Sequence, residues 1–299
     1  MAIDTIINTG QEEEMITKLQ KALREHRYQF APVRMVEIPK PKGGTRPLGI
    51  ATVEDRVVQT AMRLVVEPIL EADFHDCSYG YRPKRDAKQA SIAIREDLYH
   101  RAWGVVEVDL KAYFTSIPHR KLMTLITKRL ADGSLLTLIK QTLKVGVPQG
   151  SPISPLYSNI YLNLLDQLWH KRGYPAKLGA TLHRYADDAI LVCRKSPQPV
   201  LAALEALATR MDLPRNRDKT HVTRVTDGCD FIGFNVVKRR SPRSGKNAIS
   251  IFPAKSAQQK IRNRLKYILA YIGSGLLEYR AKPAHGVRCR LSDRRTREN

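Results

Sequence analysis

Two adjacent carboxylates, Asp187 and Asp188, stand between two apolar runs, and this junction constrains the fold more than any other feature of the chain. Thr181-Leu182-His183-Arg184-Tyr185-Ala186 precedes them and Ala189-Ile190-Leu191-Val192-Cys193 follows, a strand, turn, strand pattern. Like charges this close repel and raise one another's pKa unless a cation lies between them. Asp is also a common turn residue, so on these residues alone a solvated hairpin is the alternative. A third carboxylate shifts the balance. Trp103-Gly104-Val105-Val106-Glu107-Val108-Asp109-Leu110 reads as a buried strand with Asp109 near its end, where an uncompensated charge would be costly. Asp109 and Asp187 together could hold hard divalent cations through oxygen. Mg²⁺ suits such a site, because it keeps several waters and takes one or two carboxylates plus substrate phosphates. Two ions roughly 3.5–4 Å apart would clamp the attacking and leaving oxygens of an in-line phosphoryl transfer.

The charge balance agrees with a polyanionic partner. Among 299 residues, 51 Lys and Arg face 29 Asp and Glu, a net charge of +22. Such a field raises encounter rates with nucleic acid. The excess is concentrated from Arg210 onward, where 22 basic residues face 7 acidic ones. Cys77, Cys193, Cys229 and Cys289 lie far apart, which suggests neither a zinc knuckle nor a disulfide framework and fits a reducing cytoplasm. No apolar run approaches the roughly 18 residues of a membrane span, and the N-terminus has no signal pattern. No repeat of 20 to 50 residues is visible.

Several ordered blocks extend the carboxylate pattern: Val108-Asp109-Leu110-Lys111-Ala112-Tyr113-Phe114, Gly146-Val147-Pro148-Gln149-Gly150-Ser151-Pro152-Ile153-Ser154-Pro155 and Tyr185-Ala186-Asp187-Asp188. Ile38 to Ile50, Ser78-Tyr79-Gly80-Tyr81-Arg82-Pro83 and Phe231-Ile232-Gly233-Phe234 support them. Over about residues 28 to 255 the chain resembles the reverse transcriptase domain of group II intron maturases and their bacterial relatives. The resemblance implies an α+β right-hand polymerase: an N-terminal helix and fingers over 1–104, a palm over 105–254 with a fingers-side helical segment near 118–145, and a partial thumb with a basic tail over 255–299. It implies RNA-directed DNA synthesis from deoxynucleotides on an RNA template and a DNA primer, with two Mg²⁺ ions and Mn²⁺ as a substitute. A second reading is a splicing cofactor that grips structured intron RNA with polymerisation weak or lost. A third is a related enzyme of phage defence or a CRISPR locus. Full-length relatives carry further thumb helices and an intron-binding region, so the chain reads as a compact relative, a fragment or a truncated reading frame.

The resemblance also assigns roles. Asp109 and Asp187 would bind both ions, with Asp188 behind them and the Leu110 carbonyl completing one coordination sphere. Lys40 and Arg46 match residues that hold the triphosphate, where fixed cations neutralise phosphate oxygens. Phe114 would lie under the sugar and exclude a 2′-hydroxyl. Gln149 and Gly150 would flank the nascent base pair, Asn216 would touch primer or template, and Lys219 would be the candidate general acid for pyrophosphate. Phe231 and Gly233 belong to an expected primer grip in which the glycine allows close backbone approach. Lys260 and Arg264, on a basic helix over 255–272, would contact the primer–template duplex. His119 and His183 read as structural histidines. Thr115 departs from the family pattern, where an Asp is common, and Pro214-Arg215 interrupts the usual spacing before Lys219-Thr220.

Local patterns predict the helices. Met15, Ile16, Leu19 and Leu23 mark an amphipathic helix over 12–27, and Thr52-Val53-Glu54-Asp55 forms a capping box ahead of another. A helix carrying Leu122, Leu125, Ile126 and Leu130 follows Ile117-Pro118-His119. Ser151-Pro152 would cap the helix carrying Leu156, Tyr157, Ile160, Leu164 and Leu168. Another spans 199–211, and a single strand covers 229–237.

Overall fold

The structure, a computed structural model, describes residues 10, 12–39, 43–99, 102, 104–108, 110, 113–146, 150–213, 220–240, 245 and 247–278. It divides into two compact units, Met1–Phe252 and Pro253–Asn299.

The first unit opens with α1 (Glu12–Arg24), whose acidic first turn and basic last turn complement the helix dipole. A hairpin, β1 (Arg34–Pro39) and β2 (Thr45–Ile50), leads into α2 (Val53–Glu71). The Asp55 amide donates to Thr52 Oγ1 at 3.1 Å, and the same hydroxyl donates to the Asp55 carboxylate at 2.7 Å. The expected N-cap bond therefore forms, while the bond that Asp55 returns is with the Thr52 hydroxyl rather than with the Thr52 amide of a capping box. Tyr28 adds a third bond, donating its hydroxyl to Asp55 at 2.7 Å and tying the α1–β1 connection to α2.

The central sheet holds β3 (Gly104–Val108), β4 (Ala180–Tyr185), β5 (Asp188–Cys193) and β6 (His221–Arg224) in the order β4-β5-β3-β6, all antiparallel. Alternation along β3 and β5 sorts the side chains to two faces. Val106, Val108, Ala189 and Leu191 join the larger core with α7 (Ser154–Lys171). Val105, Ile190 and Val192 meet Ala90, Ile94 and Leu98 of α3 (Ala87–Tyr99), together with Cys229, Phe231 and Val236. Both faces are covered, which explains strands apolar on both sides. Short helices α4 (Tyr113–Ser116), α5 (His119–Ile126) and α6 (Gly133–Val145) connect β3 to α7; α8 (Tyr174–Leu178) precedes β4, and α9 (Gln198–Arg210) follows β5.

Helix α7 is more deeply buried than its apolar spacing predicts. Leu156, Tyr157, Tyr161, Leu162 and Trp169 are buried, along with the polar Ser158, Asn159 and Asp166. Its large polar side chains find partners: Tyr161 donates to the Met211 carbonyl at 2.6 Å, and the Tyr157 and Thr142 hydroxyls lie 2.7 Å apart. The cap differs from expectation. The helix begins at Ser154 with Pro155 in its first turn, while the Ser151 hydroxyl donates to Gln59 Oε1 of α2 at 2.8 Å. The strand expected over 229–237 is two strands, β7 (Cys229–Phe231) and β8 (Phe234–Arg240), paired with β9 (Asn247–Pro253) in a second sheet.

The second unit contributes α10 (Lys255–Glu278), six residues longer than the basic helix expected over 255–272. None of the described helices is long and apolar enough to cross a membrane.

Candidate active site

Strands β4 and β5 pair with Tyr185 opposite Asp188, so Ala186 and Asp187 form the tip of a two-residue hairpin. Ala186 has φ +56° at the first central position, where glycine is the usual residue. A Cβ in that conformation is strained and needs support from its surroundings. The support is a buried charge network. Arg184, 1% exposed in its side chain, donates from Nε and Nη2 to both oxygens of the fully buried Asp166 at 2.6–3.1 Å. Its Nη1 donates to the Ala186 carbonyl and to Asn159 Oδ1, each at 2.9 Å. Burial alone would lower the arginine pKa; the Asp166 charge and hydrogen bonds outweigh it, and the guanidinium stays protonated.

The segment around Ser78 closes the other side of the turn. The Tyr79 amide donates to the Arg184 carbonyl and the Arg184 amide to the Cys77 carbonyl, each at 2.8 Å. Asn159 Nδ2 donates to the Gly80 carbonyl at 2.8 Å. At Gly80 an added Cβ would press on the Ala186 amide and lie 2.9 Å from the Tyr185 carbonyl carbon. Those atoms are backbone and cannot swing aside. Gly80→Ala should therefore displace the turn, destabilising the protein by about 1–3 kcal/mol. It should also cut any activity of Asp187 and Asp188 by about 10²-fold, because displacement of roughly 1 Å at a reacting centre has that effect. Denaturant melts read beside activity assays check both numbers; unchanged activity would mean the turn tolerates the shift.

The expected site residues meet at this tip in part. Asp187 is half-buried and Asp188 exposed. Asp109 lies outside the described residues, but Val108, its chain neighbour, pairs with Ala189, which follows Asp188. Leu110 is half-buried beyond it. Phe114 is half-buried and meets the Tyr113 ring edge-on at 5.7 Å. Tyr113 is buried and donates to the Ser158 carbonyl at 2.9 Å. Burial raises its phenol pKa far above the usual range, Arg184 and the Ser158 bond oppose that, and the Asp187 charge adds to it.

Gly150 has φ +108°, and a Cβ there would meet the Gly49 carbonyl of β2 at 2.9 Å. It thus lets the loop before α7 approach the β1–β2 hairpin. Arg46 sits on β2 opposite Ile38. Gly233 lies in a tight turn. Ile232 and Gly233 both have positive φ between the paired Phe231 and Phe234, and nothing lies within 4 Å of an added Gly233 Cβ. The glycine serves the two-residue turn, and the space beside it is open. Phe231 is buried. In the second unit Lys260 and Arg264 are exposed on α10, with the Arg264 guanidinium 5.7 Å from the Tyr267 ring centroid. Lys40, Gln149, Asn216 and Lys219 lie outside the described residues. His183 is buried with Nε2 2.7 Å from Asp97, in keeping with a structural role.

The sequence reading missed the Arg184, Asp166, Asn159 and Gly80 support. A signal was present: an arginine inside an apolar strand and an aspartate among Leu162, Leu165 and Trp169 of an apolar helix ask for each other.

The family profile described as reverse transcriptase (RNA-dependent DNA polymerase) matches residues 38–236. The chain belongs to the reverse transcriptase family. It is 33% identical over 312 residues to protein YkfC of Escherichia coli K12, covering 87% of this chain and 81% of that one. It is 37% identical over 172 residues to the group II intron-encoded protein LtrA of Lactococcus lactis subsp. cremoris, covering 53% of this chain and 28% of the relative. Within the family it is thus of the group II intron reverse transcriptase and maturase type. The fold is also that of telomerase from Candida albicans, with a TM-score of 0.54 at 15% identity over 72% of this chain and 46% of that one. Its helices and antiparallel sheets make it an α+β member of that family.

Proposed function

We propose that this reverse transcriptase is an active RNA-directed DNA polymerase, extending a DNA primer on an RNA template with deoxynucleotides. The observation that carries the reading is the investment in one turn: the hairpin that carries Asp187 and Asp188 is held at the Ala186 carbonyl by a buried Arg184–Asp166–Asn159 network beside the end of β3. One peptide, about 3.8 Å between Cα atoms, separates Val108 from Asp109. Asp187 and Asp188, together with Asp109 one residue beyond Val108 in the sequence, would supply a hard-oxygen donor set that suits Mg²⁺. Bound there, divalent ions would activate the primer 3′-hydroxyl and neutralise charge on the nucleotide phosphates.

The protein's own part is placement and charge. Asp109 and Asp187 hold the cations, with Asp188 beside them and the Leu110 carbonyl as a further ligand. Lys40 and Arg46 draw the triphosphate to the fingers hairpin, Gln149 flanks the nascent base pair, and Gly150 lies close against that hairpin. Phe114 limits the space at the sugar. Lys219 gives a proton to the departing pyrophosphate, Asn216, Phe231 and Gly233 face primer and template, and Lys260 and Arg264 grip the duplex backbone. Fingers, palm and partial thumb then run over 1–104, 105–254 and 255–299.

The purified protein with an RNA template, an annealed DNA primer, four deoxynucleotides and Mg²⁺ should extend the primer, and chelation of divalent ions should stop it. A splicing cofactor is the second reading, favoured by the intron-encoded relatives and the basic stretch from Arg210. Absence of extension with Mg²⁺ and with Mn²⁺, alongside tight RNA binding that weakens steeply with salt, would overturn the polymerase in favour of that cofactor.

A further inference from the structure

Behind the catalytic turn, the loop after α2 and the last turn of α7 bring together His75, Cys77 and His170, with one ligand atom of each within 4.8 Å of the others. Cys77 is buried and both histidines are half-buried. The loop is pinned to the helix: the His75 amide donates to Asn163 Oδ1 at 3.0 Å, and Asn163 Nδ2 donates to the Asp73 carbonyl at 3.0 Å. The backbone that carries His75 is therefore pinned to α7 by hydrogen bonds.

The hydrogen bonds set the tautomers. His170 Nδ1 lies 2.8 Å from the Asp166 carbonyl, which can only accept, so Nδ1 carries the proton and Nε2 keeps its lone pair. This is the outer bond that orients metal-binding histidines. His75 Nδ1 accepts the Cys77 amide at 3.2 Å, so its lone pair lies on the side of the cysteine. The two rings stack at 3.6 Å with 20° between planes. Closing around a cation requires them to tilt apart about χ2, a broad, soft torsion.

We propose that His75, Cys77 and His170 form a zinc site, separate from the catalytic carboxylates, that braces the back of the active-site turn. His75 would bind through Nδ1, exchanging its long amide contact for a metal bond, with Cys77 Sγ and His170 Nε2. Solvent takes the fourth position, since Asp166 is engaged by Arg184. Two imidazoles and a thiolate select zinc over Mg²⁺, which prefers oxygen. On binding, the Cys77 S–H bond breaks, a Zn–S bond forms, and the proton passes to solvent. The brace is direct: the Cys77 carbonyl accepts the Arg184 amide, and Asp166 bonds both His170 and Arg184. Widely spaced cysteines concealed this arrangement, because two ligands are histidines and one comes from a distant helix.

The test is equilibrium dialysis of the full chain against Zn²⁺ in excess Mg²⁺, followed by metal analysis, with Co²⁺ as the spectroscopic probe. About one equivalent of zinc should be retained. The Co²⁺ form should show thiolate-to-cobalt charge transfer with intense tetrahedral bands, and zinc should raise the melting temperature. Cys77→Ser should abolish the charge-transfer band and zinc retention. His170→Gln, at a half-buried helix end, should weaken zinc binding at least tenfold and serves if Cys77→Ser misfolds. Wild-type protein that keeps no zinc and shows no charge-transfer band overturns the proposal, as does a band that survives Cys77→Ser or binding unchanged in His170→Gln. None of these readouts depends on polymerase activity.

Discussion

Asp187→Asn should lower primer extension by about 10³-fold or more, equivalent to about 4 kcal/mol of transition-state stabilisation, while the melting temperature holds or rises slightly. Asparagine matches aspartate in volume, so the half-buried position at the hairpin tip keeps its packing. What disappears is the negative charge. Without it, one of the hard-oxygen ligands that distinguish Mg²⁺ binding from a polar surface is lost. Removing one of two adjacent carboxylates also relieves their repulsion, which favours the folded state. RNA binding, which rests on basic residues, should stay within about twofold and keep its salt dependence. Asp188→Asn should lose less activity, because Asp188 is the exposed first residue of β5, paired across the hairpin with Tyr185. Single-turnover extension, a thermal melt and a salt titration of RNA binding decide the matter together. Extension within tenfold of wild type would remove Asp187 from the metal site; loss of folding would show that its charge is structural.

Much of the fold was legible because local chemistry and long-range packing agree over most of the chain. Thr52 and Asp55 cap α2 as their spacing requires, and the strands flanking Asp187 form the expected hairpin. The failures have physical reasons. Ser-Pro favours helix starts, so Ser151 reads as a cap, yet its hydroxyl is taken by Gln59 from α2, a partner more than ninety residues away. The interruption at Ile232-Gly233 was missed because both flanking segments are apolar, although a glycine between two phenylalanines is a turn signal. At the site, motif order names the residues proposed to meet substrate, whereas those that hold the turn carry no motif. A buried ion pair between Asp166 and Arg184 is visible in one dimension only as two residues that do not belong among their apolar neighbours.

That pair carries the other large effect. Arg184→Met should destabilise the protein by about 3–5 kcal/mol, because it leaves Asp166 charged, fully buried and without its counter-ion. Arg184→Lys should recover only part of this, since one ammonium cannot reach both Asp166 oxygens, Asn159 Oδ1 and the Ala186 carbonyl at once. The informative variant is the double one. Arg184→Met with Asp166→Leu removes both charges, and replacing a buried pair by apolar residues is often neutral, so stability should return to within about 1–2 kcal/mol of wild type. Activity should not return with it. The Ala186 carbonyl and Asn159 would still lack their donor, the strained φ of Ala186 would lose its support, and the Asp187 carboxylate would no longer be held in one place. A stable double variant with extension reduced about 10²-fold would assign Arg184 a positioning role distinct from its part in stability. A stable double variant that extends primers as well as wild type would reduce the network to packing, and the turn would then owe its geometry to Gly80 and the β4–β5 register alone.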